Sequence, residues 1–280
     1  MSVLLCFSFL TFSAETIESM TDLNVCVLQA DLAWENPQLN YERLAGLMSN
    51  QREADIIVLP EMFTTGFSME PALVAETHGL SMETLEWMKR HAALLDSAIT
   101  GSISVQEEGK YYNRLYWVEP DGTVIWYDKN HLFSFAGEDA CYTAGTERLI
   151  VEWRGWKVLP LICYDLRFPE LARNGSLNGN ANYDLCIYVA NWPGVRSHPW
   201  SSLLVARAIE NQCYLVGCNR VGQDGKDIDY AGDSIILNSR GELLAEALPG
   251  KAQQITASLS MQELLDFRAK FPVLEDQKKA

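Results

Sequence analysis

Three residues of the 280-residue chain carry reactive groups in one shared local setting. Glu61 follows the apolar run Ile56-Ile57-Val58-Leu59-Pro60, Lys129 follows Val124-Ile125-Trp126-Tyr127-Asp128, and Cys163 closes Val158-Leu159-Pro160-Leu161-Ile162. Each stands where a buried-looking strand runs out. Ligands of α/β sheets gather outside the carboxyl ends of strands, so three such endings can converge on one site. A thiol needs a base to become a nucleophile, and its addition to a carbonyl needs a cation or N–H donor for the oxyanion. Cys, Glu and Lys together supply nucleophile, base and electrostatic stabiliser for acyl transfer. Singly, each has an ordinary explanation. The cysteine is a small buried hydrophobe, the glutamate a solvated loop acid, and the lysine half of a surface ion pair with Asp128. The combination carries the chemical reading.

The elements that must position these residues alternate between short β-rich runs and helical patterns. Residues 23–29, 56–59, 98–105, 114–118, 123–127, 149–153, 157–163, 185–190, 214–218, 234–237 and 242–245 read as strands. Helical stretches fall at 37–49, 84–95, 202–211 and 261–270, and turn signals stand at Pro120-Asp121-Gly122 and Asn238-Ser239-Arg240-Gly241. No internal repeat, low-complexity tract or linker divides the chain, so helices layered over sheet in one α/β domain are expected.

Composition narrows the function. Apolar residues are 48% and charged residues 21%, the balance of a soluble globule. With 22 Lys+Arg against 37 Asp+Glu the net charge is −15, and no basic stripe is available for a nucleic acid. No apolar run reaches the roughly 18–20 residues of a spanning helix. The seven cysteines are odd in number and contain no C-x-x-C pair, which fits a reducing, cytoplasmic setting. The four histidines show no H-E-x-x-H spacing, and neither G-x-G-x-x-G nor a Walker-type loop occurs, so no metal, nucleotide or other cofactor is implied. Residues 1–19 differ from the rest. The apolar stretch 3–12 lacks the preceding Lys or Arg of a secretory signal, so this segment is read as a dispensable or disordered extension, with a domain over 20–280.

The strings Leu59-Pro-Glu-Met-Phe63, Tyr127-Asp-Lys-Asn-His-Leu-Phe133 and Leu161-Ile-Cys-Tyr-Asp-Leu-Arg-Phe-Pro-Glu170 resemble the three signatures of the nitrilase superfamily of carbon–nitrogen hydrolases. Asn191-Trp-Pro-Gly-Val-Arg196 and Leu204-Val-Ala-Arg-Ala-Ile-Glu-Asn-Gln212 are also similar to that superfamily. The likeness is nearest to its omega-amidase branch, which acts on 2-oxoglutaramate-type monoamides. It implies a four-layer α-β-β-α sandwich that pairs as a homodimer or higher homo-oligomer. It also implies roles. Cys163 attacks the amide carbon, Glu61 moves the proton, and Lys129 with the Tyr164 N–H holds the oxyanion. Glu138 takes the place of a second glutamate that positions substrate and Lys129, unless it is only a loop acid.

A dicarboxylic monoamide brings a carboxylate that needs a guanidinium, because a buried unpaired charge is costly. Arg167 and Arg196 are the candidates, although either could hold the fold instead. Phe63, Phe135, Tyr142 and Trp192 could wall the pocket or simply fill the core. The apolar stripe Leu203, Leu204, Ala206, Ala208 and Ile209 suits either a subunit interface or the core. Other readings are a nitrilase, an N-carbamoyl-amine hydrolase or a deaminated-glutathione amidase on the same scaffold, or a catalytically idle binding subunit. Replacing the nucleophile decides between enzyme and binder: Cys163→Ala is expected to abolish ammonia release from amides while circular dichroism shows an unchanged fold. An active, folded variant would remove the thiol from the reaction.

Overall fold

The computed structural model describes residues 22–277 apart from 50, 52, 80, 81, 178 and 179; the extension expected over 1–19 lies outside the described residues. In chain order the main elements are β1 (Leu23–Gln29), α1 (Pro37–Met48), β2 (Ile56–Val58), α2 (Glu83–Leu95), β3 (Ala98–Glu107), β4 (Lys110–Val118) and β5 (Val124–Asp128). There follow β6 (Val151–Trp153), β7 (Trp156–Ile162), β8 (Leu185–Ala190), α3 (Ser197–Asn211), β9 (Tyr214–Asn219), β10 (Ile235–Leu237), β11 (Leu243–Glu246), β12 (Gln253–Leu259) and α4 (Met261–Lys270).

The strands form two large sheets. One runs β12-β1-β2-β3-β4-β5, with Glu76–Thr77 added alongside the far end of β3, and the other runs β6-β7-β8-β9-β10-β11. Both show the same succession of neighbours: one antiparallel pair, two parallel pairs, then two antiparallel pairs.

Alternation along each strand decides what each face meets. In β1, Val25 and Val27 join the core shared with the second sheet, whereas Cys26 and Leu28 join the cluster under α1 and α2. Ile56 and Val58 against Ile57 repeat the division in β2, and Leu115 and Trp117 against Tyr116 and Val118 repeat it in β4. Helix α1 starts where the Asn36 side chain accepts from the Leu39 N–H at 3.1 Å and Pro37 fills the first turn; it buries Tyr41, Leu44 and Met48. Helix α3 covers β9 so closely that a Cβ at Gly217 would lie 2.5 Å from Leu204 Cδ1. The result is helix, sheet, sheet, helix.

Differences from the sequence reading have local causes. Strand β12 carries no clear strand signal, because its run Gln-Gln-Ile-Thr-Ala-Ser-Leu is half polar; it pairs with β1 from Leu23↔Leu259 to Gln29↔Gln253. Helix α3 begins at Ser197 rather than 202, since Pro199 sits in its first turn, where no N–H is missed. The stripe on that helix divides: Leu204 and Ala208 are core, while Ile209 is 51% exposed. Cys163 does not close β7. The strand ends at Ile162, and Cys163 opens a 3-10 turn, Cys163–Arg167.

Candidate active site

Glu61 is carried by the segment after β2. Its neighbour Met62 has a φ of +43°, and the Met62 N–H donates to Ser102 Oγ at 2.9 Å. A Cβ at Gly101 would lie 2.7 Å from Leu59 Cβ and 2.9 Å from Phe63 Cδ1, so the segment seats against β3 where only glycine leaves room. Lys129 follows β5, and its N–H donates to the Asn113 carbonyl of β4 at 3.0 Å. Cys163 has a φ of +43°, a left-handed conformation that aims its side chain away from the run of β7.

Asp165 ties these two segments together. It accepts from the Tyr127 hydroxyl at 2.8 Å, the His131 N–H at 2.9 Å and the Ile162 N–H at 3.1 Å. The His131 ring, 3.0 Å from Asp165 through Nδ1, stacks on Phe168 at 3.7 Å between centroids. One carboxylate therefore fixes the lysine loop to the cysteine turn.

The charged groups meet in full burial. Lys129 Nζ donates to Glu61 Oε1 at 2.8 Å and to Glu138 Oε1 and Oε2 at 3.0 and 2.9 Å. All three side chains have 0% exposure. Neutral donors complete the set: the Asn191 N–H to Glu61 Oε2 at 2.8 Å, the Phe133 N–H to Glu138 Oε2 at 2.6 Å, and Asn113 Nδ2 to both glutamates. Asn191 also holds the Glu61 carbonyl through Nδ2 at 2.5 Å. Cys163 Sγ lies 4.0 Å from the Asn191 carbonyl, and the charge of Glu61 acts on it.

Burial pushes the Cys163 thiol well above its usual range, and the Glu61 charge adds to this against the pull of Lys129. The resting sulfur is thus protonated at neutral pH and needs a base before it can attack. Burial works against the Lys129 ammonium, but Glu138 and Glu61 outweigh it and hold the charge firmly. The Glu138 carboxyl is pushed up by burial, pulled down by Lys129 and pushed up again by Glu61. A glutamate beside a protonated thiol and a fixed cation is suited to acyl transfer through sulfur.

The sulfur opens on a pocket of about 70 Å³, whose walls include Phe67, Phe133, Tyr164, Trp192 and Tyr230. Arg167 and Arg196 also line it, the first 5.1 Å over the Trp192 ring and the second 5.3 Å over Phe133. Trp192 is held by Asn219 at the end of β9, which accepts from its N–H at 2.8 Å and donates to its carbonyl at 2.9 Å.

Of the sequence candidates, Glu61, Lys129, Glu138 and Cys163 come together, and Tyr164, Arg167, Trp192 and Arg196 line the pocket. Phe63 does not: it is fully buried under α2, 6.0 Å from Trp87 between centroids. Nor does Phe135, which is 85% exposed and packs on the ring of Phe133. Tyr142 is core, its hydroxyl bound to Ser68 and Ser104.

Asn113, Asn191, Phe67 and Tyr230 have site positions that the sequence reading did not assign. Tyr230 stands on the hairpin Val221–Gln223 with Asp229–Ala231, which the dipeptide Asp224-Gly225 would have signalled as a turn. Among the described residues no group of three or more His, Cys, Asp or Glu is arranged to hold a metal ion.

The sandwich and its buried Cys-Glu-Lys cluster define a hydrolase of carbon–nitrogen bonds. A sequence profile of that family, carbon–nitrogen hydrolase, matches residues 24–269, and the chain belongs to it. The chain is 47% identical to omega-amidase YafV of Escherichia coli (strain K12) over 92% of this chain and 97% of that one. It is 35% identical to a 2-oxoglutaramate amidase of Bacillus subtilis over 91% of this chain and 97% of that one. A solved relative, XC1258 from Xanthomonas campestris, is a superfamily protein with an arsenic adduct in its active site. It superposes with a TM-score of 0.90 at 41% identity, covering 93% of this chain and 99% of that one.

Among the described residues, Lys129 is the only cation paired with the two buried carboxylates of this cluster. Replacing it with an uncharged side chain, Lys129→Met, is expected to abolish turnover and cost about 3–5 kcal/mol of stability. Glu138, already pushed up by burial, would lose the pull of Lys129 and bind a proton more tightly folded than unfolded, so the variant's stability should rise as pH falls towards the carboxylate range. Denaturant melts across pH check this. A Lys129→Met protein as stable as the parent at neutral pH would contradict it.

Proposed function

We propose that the protein is a thiol-dependent amidase that hydrolyses the terminal amide of a short 2-oxo dicarboxylic acid monoamide, 2-oxoglutaramate or 2-oxosuccinamate. The products are the dicarboxylic acid and ammonia. The observation that carries this reading is a pair of guanidiniums without an acidic partner. Arg167 and Arg196 make no ion pair among the described residues although the protein carries a net charge of −15, and both face the pocket beside the sulfur. A substrate carboxylate would satisfy them. The relatives described as omega-amidase and 2-oxoglutaramate amidase support the same substrate class.

In this mechanism Glu61 takes the thiol proton as sulfur bonds to the amide carbon. The carbonyl oxygen becomes an oxyanion between the Lys129 ammonium and the N–H of Tyr164. That N–H is the second in a 3-10 turn and too early for an intrahelical acceptor. Collapse breaks the carbon–nitrogen bond, and Glu61 returns its proton to the departing ammonia. Water then gives a proton to Glu61 and attacks the thioester. The second collapse frees the acid, and the proton goes back to sulfur. Glu138 positions Lys129, and Trp192 backs Arg167.

The reading includes a homodimer or higher homo-oligomer in the cytoplasm. Exposed Ile209 lies against Gly241, at the turn before half-exposed Leu243 and Leu244, and gives an apolar contact surface. The six cysteines at described positions are free, which suits a reducing compartment. No described helix is long and apolar enough to cross a membrane.

In a substrate panel, 2-oxoglutaramate or 2-oxosuccinamate should exceed simple aliphatic amides, nitriles and N-carbamoyl amines in kcat/KM. Arg167→Met and Arg196→Met should each lower that preference about 10- to 100-fold, mainly through KM. A panel in which simple aliphatic amides rank first would overturn the assignment. Light scattering at micromolar concentration should give at least a dimer, and a stable monomer would contradict the assembly.

A further inference from the structure

We propose that Asn113 is a positioning residue that lets Glu61 and Glu138 share a single lysine, its side-chain amide donating to both carboxylates at once. The inference rests on the amidase reading of the site. Asn113 lies on β4, fully buried, with Nδ2 at 2.8 Å from Glu61 Oε1 and 3.1 Å from Glu138 Oε1. Its backbone carbonyl also accepts the Lys129 N–H at 3.0 Å, so one residue fixes the lysine's main chain and both of its acidic partners. The next residue, Arg114, turns the other way and pairs with Asp128 and Glu107.

A count of donors shows what the amide contributes. An ammonium has three N–H bonds. Lys129 gives one to Glu61 and must share a second between the two oxygens of Glu138 for the third to reach an oxyanion. The Oε1 atoms of both glutamates converge on the same ammonium, and Asn113 supplies each with a second, neutral donor. Without it, the carboxylates would draw further on the lysine, and the donor lost would be the one used in the transition state. Oδ1 of the same amide is buried with no hydrogen-bond partner. An orphaned acceptor costs stability, so the residue is better explained by what Nδ2 does for the carboxylates than by its contribution to folding.

The test compares Asn113→Asp and Asn113→Leu, both close in volume to the parent, with 2-oxoglutaramate as substrate. Wild-type turnover in the same assay tests the amidase reading separately. Each variant is expected to lose about 10- to 100-fold in kcat with KM changed less than about threefold. The groups facing the position are Glu61, Glu138 and Lys129, with Cys163 next to them, and Asn113→Leu, which adds no titratable group, is the control for changes in their own titration. For Asn113→Asp that ratio should climb as pH falls, because a protonated carboxyl regains an O–H donor; for Asn113→Leu it should stay flat. A purely structural role would lower both ratios without pH dependence. A flat Asn113→Asp ratio, or a kcat within about threefold of wild type in either variant, would overturn the proposal. If Asn113→Leu fails to fold, Asn113→Asp decides alone; if Asn113→Asp fails to fold, Asn113→Gln takes its place, whose amide should recover kcat relative to Asn113→Leu, and equal losses in the two would overturn the proposal.

Discussion

One ammonium between two carboxylates, sealed from solvent, is the constraint around which the rest of the molecule is arranged. Removing three charges from water is expensive, and their mutual attraction offsets that only when the remaining oxygens and protons are also satisfied. Here the additional donors come from distant parts of the chain: the main chain at Phe133 and Asn191 and the amide of Asn113. Two of the three charged residues follow strands of the first sheet, whereas Asn191 follows a strand of the second. The cluster therefore requires the two sheets to be in register at their carboxyl ends, and the apolar layer between them sets that register.

The reacting atoms also demand unusual backbone. Met62, next to Glu61, and Cys163 are both non-glycine residues in the left-handed region, where a side chain costs energy. Their surroundings hold them there: Ser102 beside Met62, and Asp165 beneath the cysteine turn. Asp165 belongs to the same short string as the nucleophile, so the sequence that supplies the sulfur also supplies the group that anchors it to the lysine loop. Strain and its restraint are encoded within a few residues of each other.

The chemistry was more legible in the sequence than the walls around it. Glu61, Lys129 and Cys163 announce themselves because each interrupts an apolar run, and that interruption is local. The strands that read as short apolar runs, such as β1 and β8, have the bounds that the sequence suggested. Asn113 gives no such signal, because a single polar residue beside Arg114 near the start of β4 looks like any solvent-facing strand position. Phe63 and Phe135 show the opposite failure. Both are aromatics close to motif residues, yet one side chain turns into the helix-covered core and the other into solvent. Neighbourhood in sequence fixes where a main chain goes, and the face a side chain takes depends on partners far along the chain.

The pairing of β12 with β1 bears on how the protein is made. The second sheet is complete in an unbroken stretch from β6 to β11, whereas the first needs a strand from near the end of the chain beside one from near its beginning. During synthesis the second sheet can assemble while the ribosome is still at work. Through most of translation β1 keeps one hydrogen-bonding edge bare, open to mispairing with other nascent chains until residues 253–259 emerge to cover it.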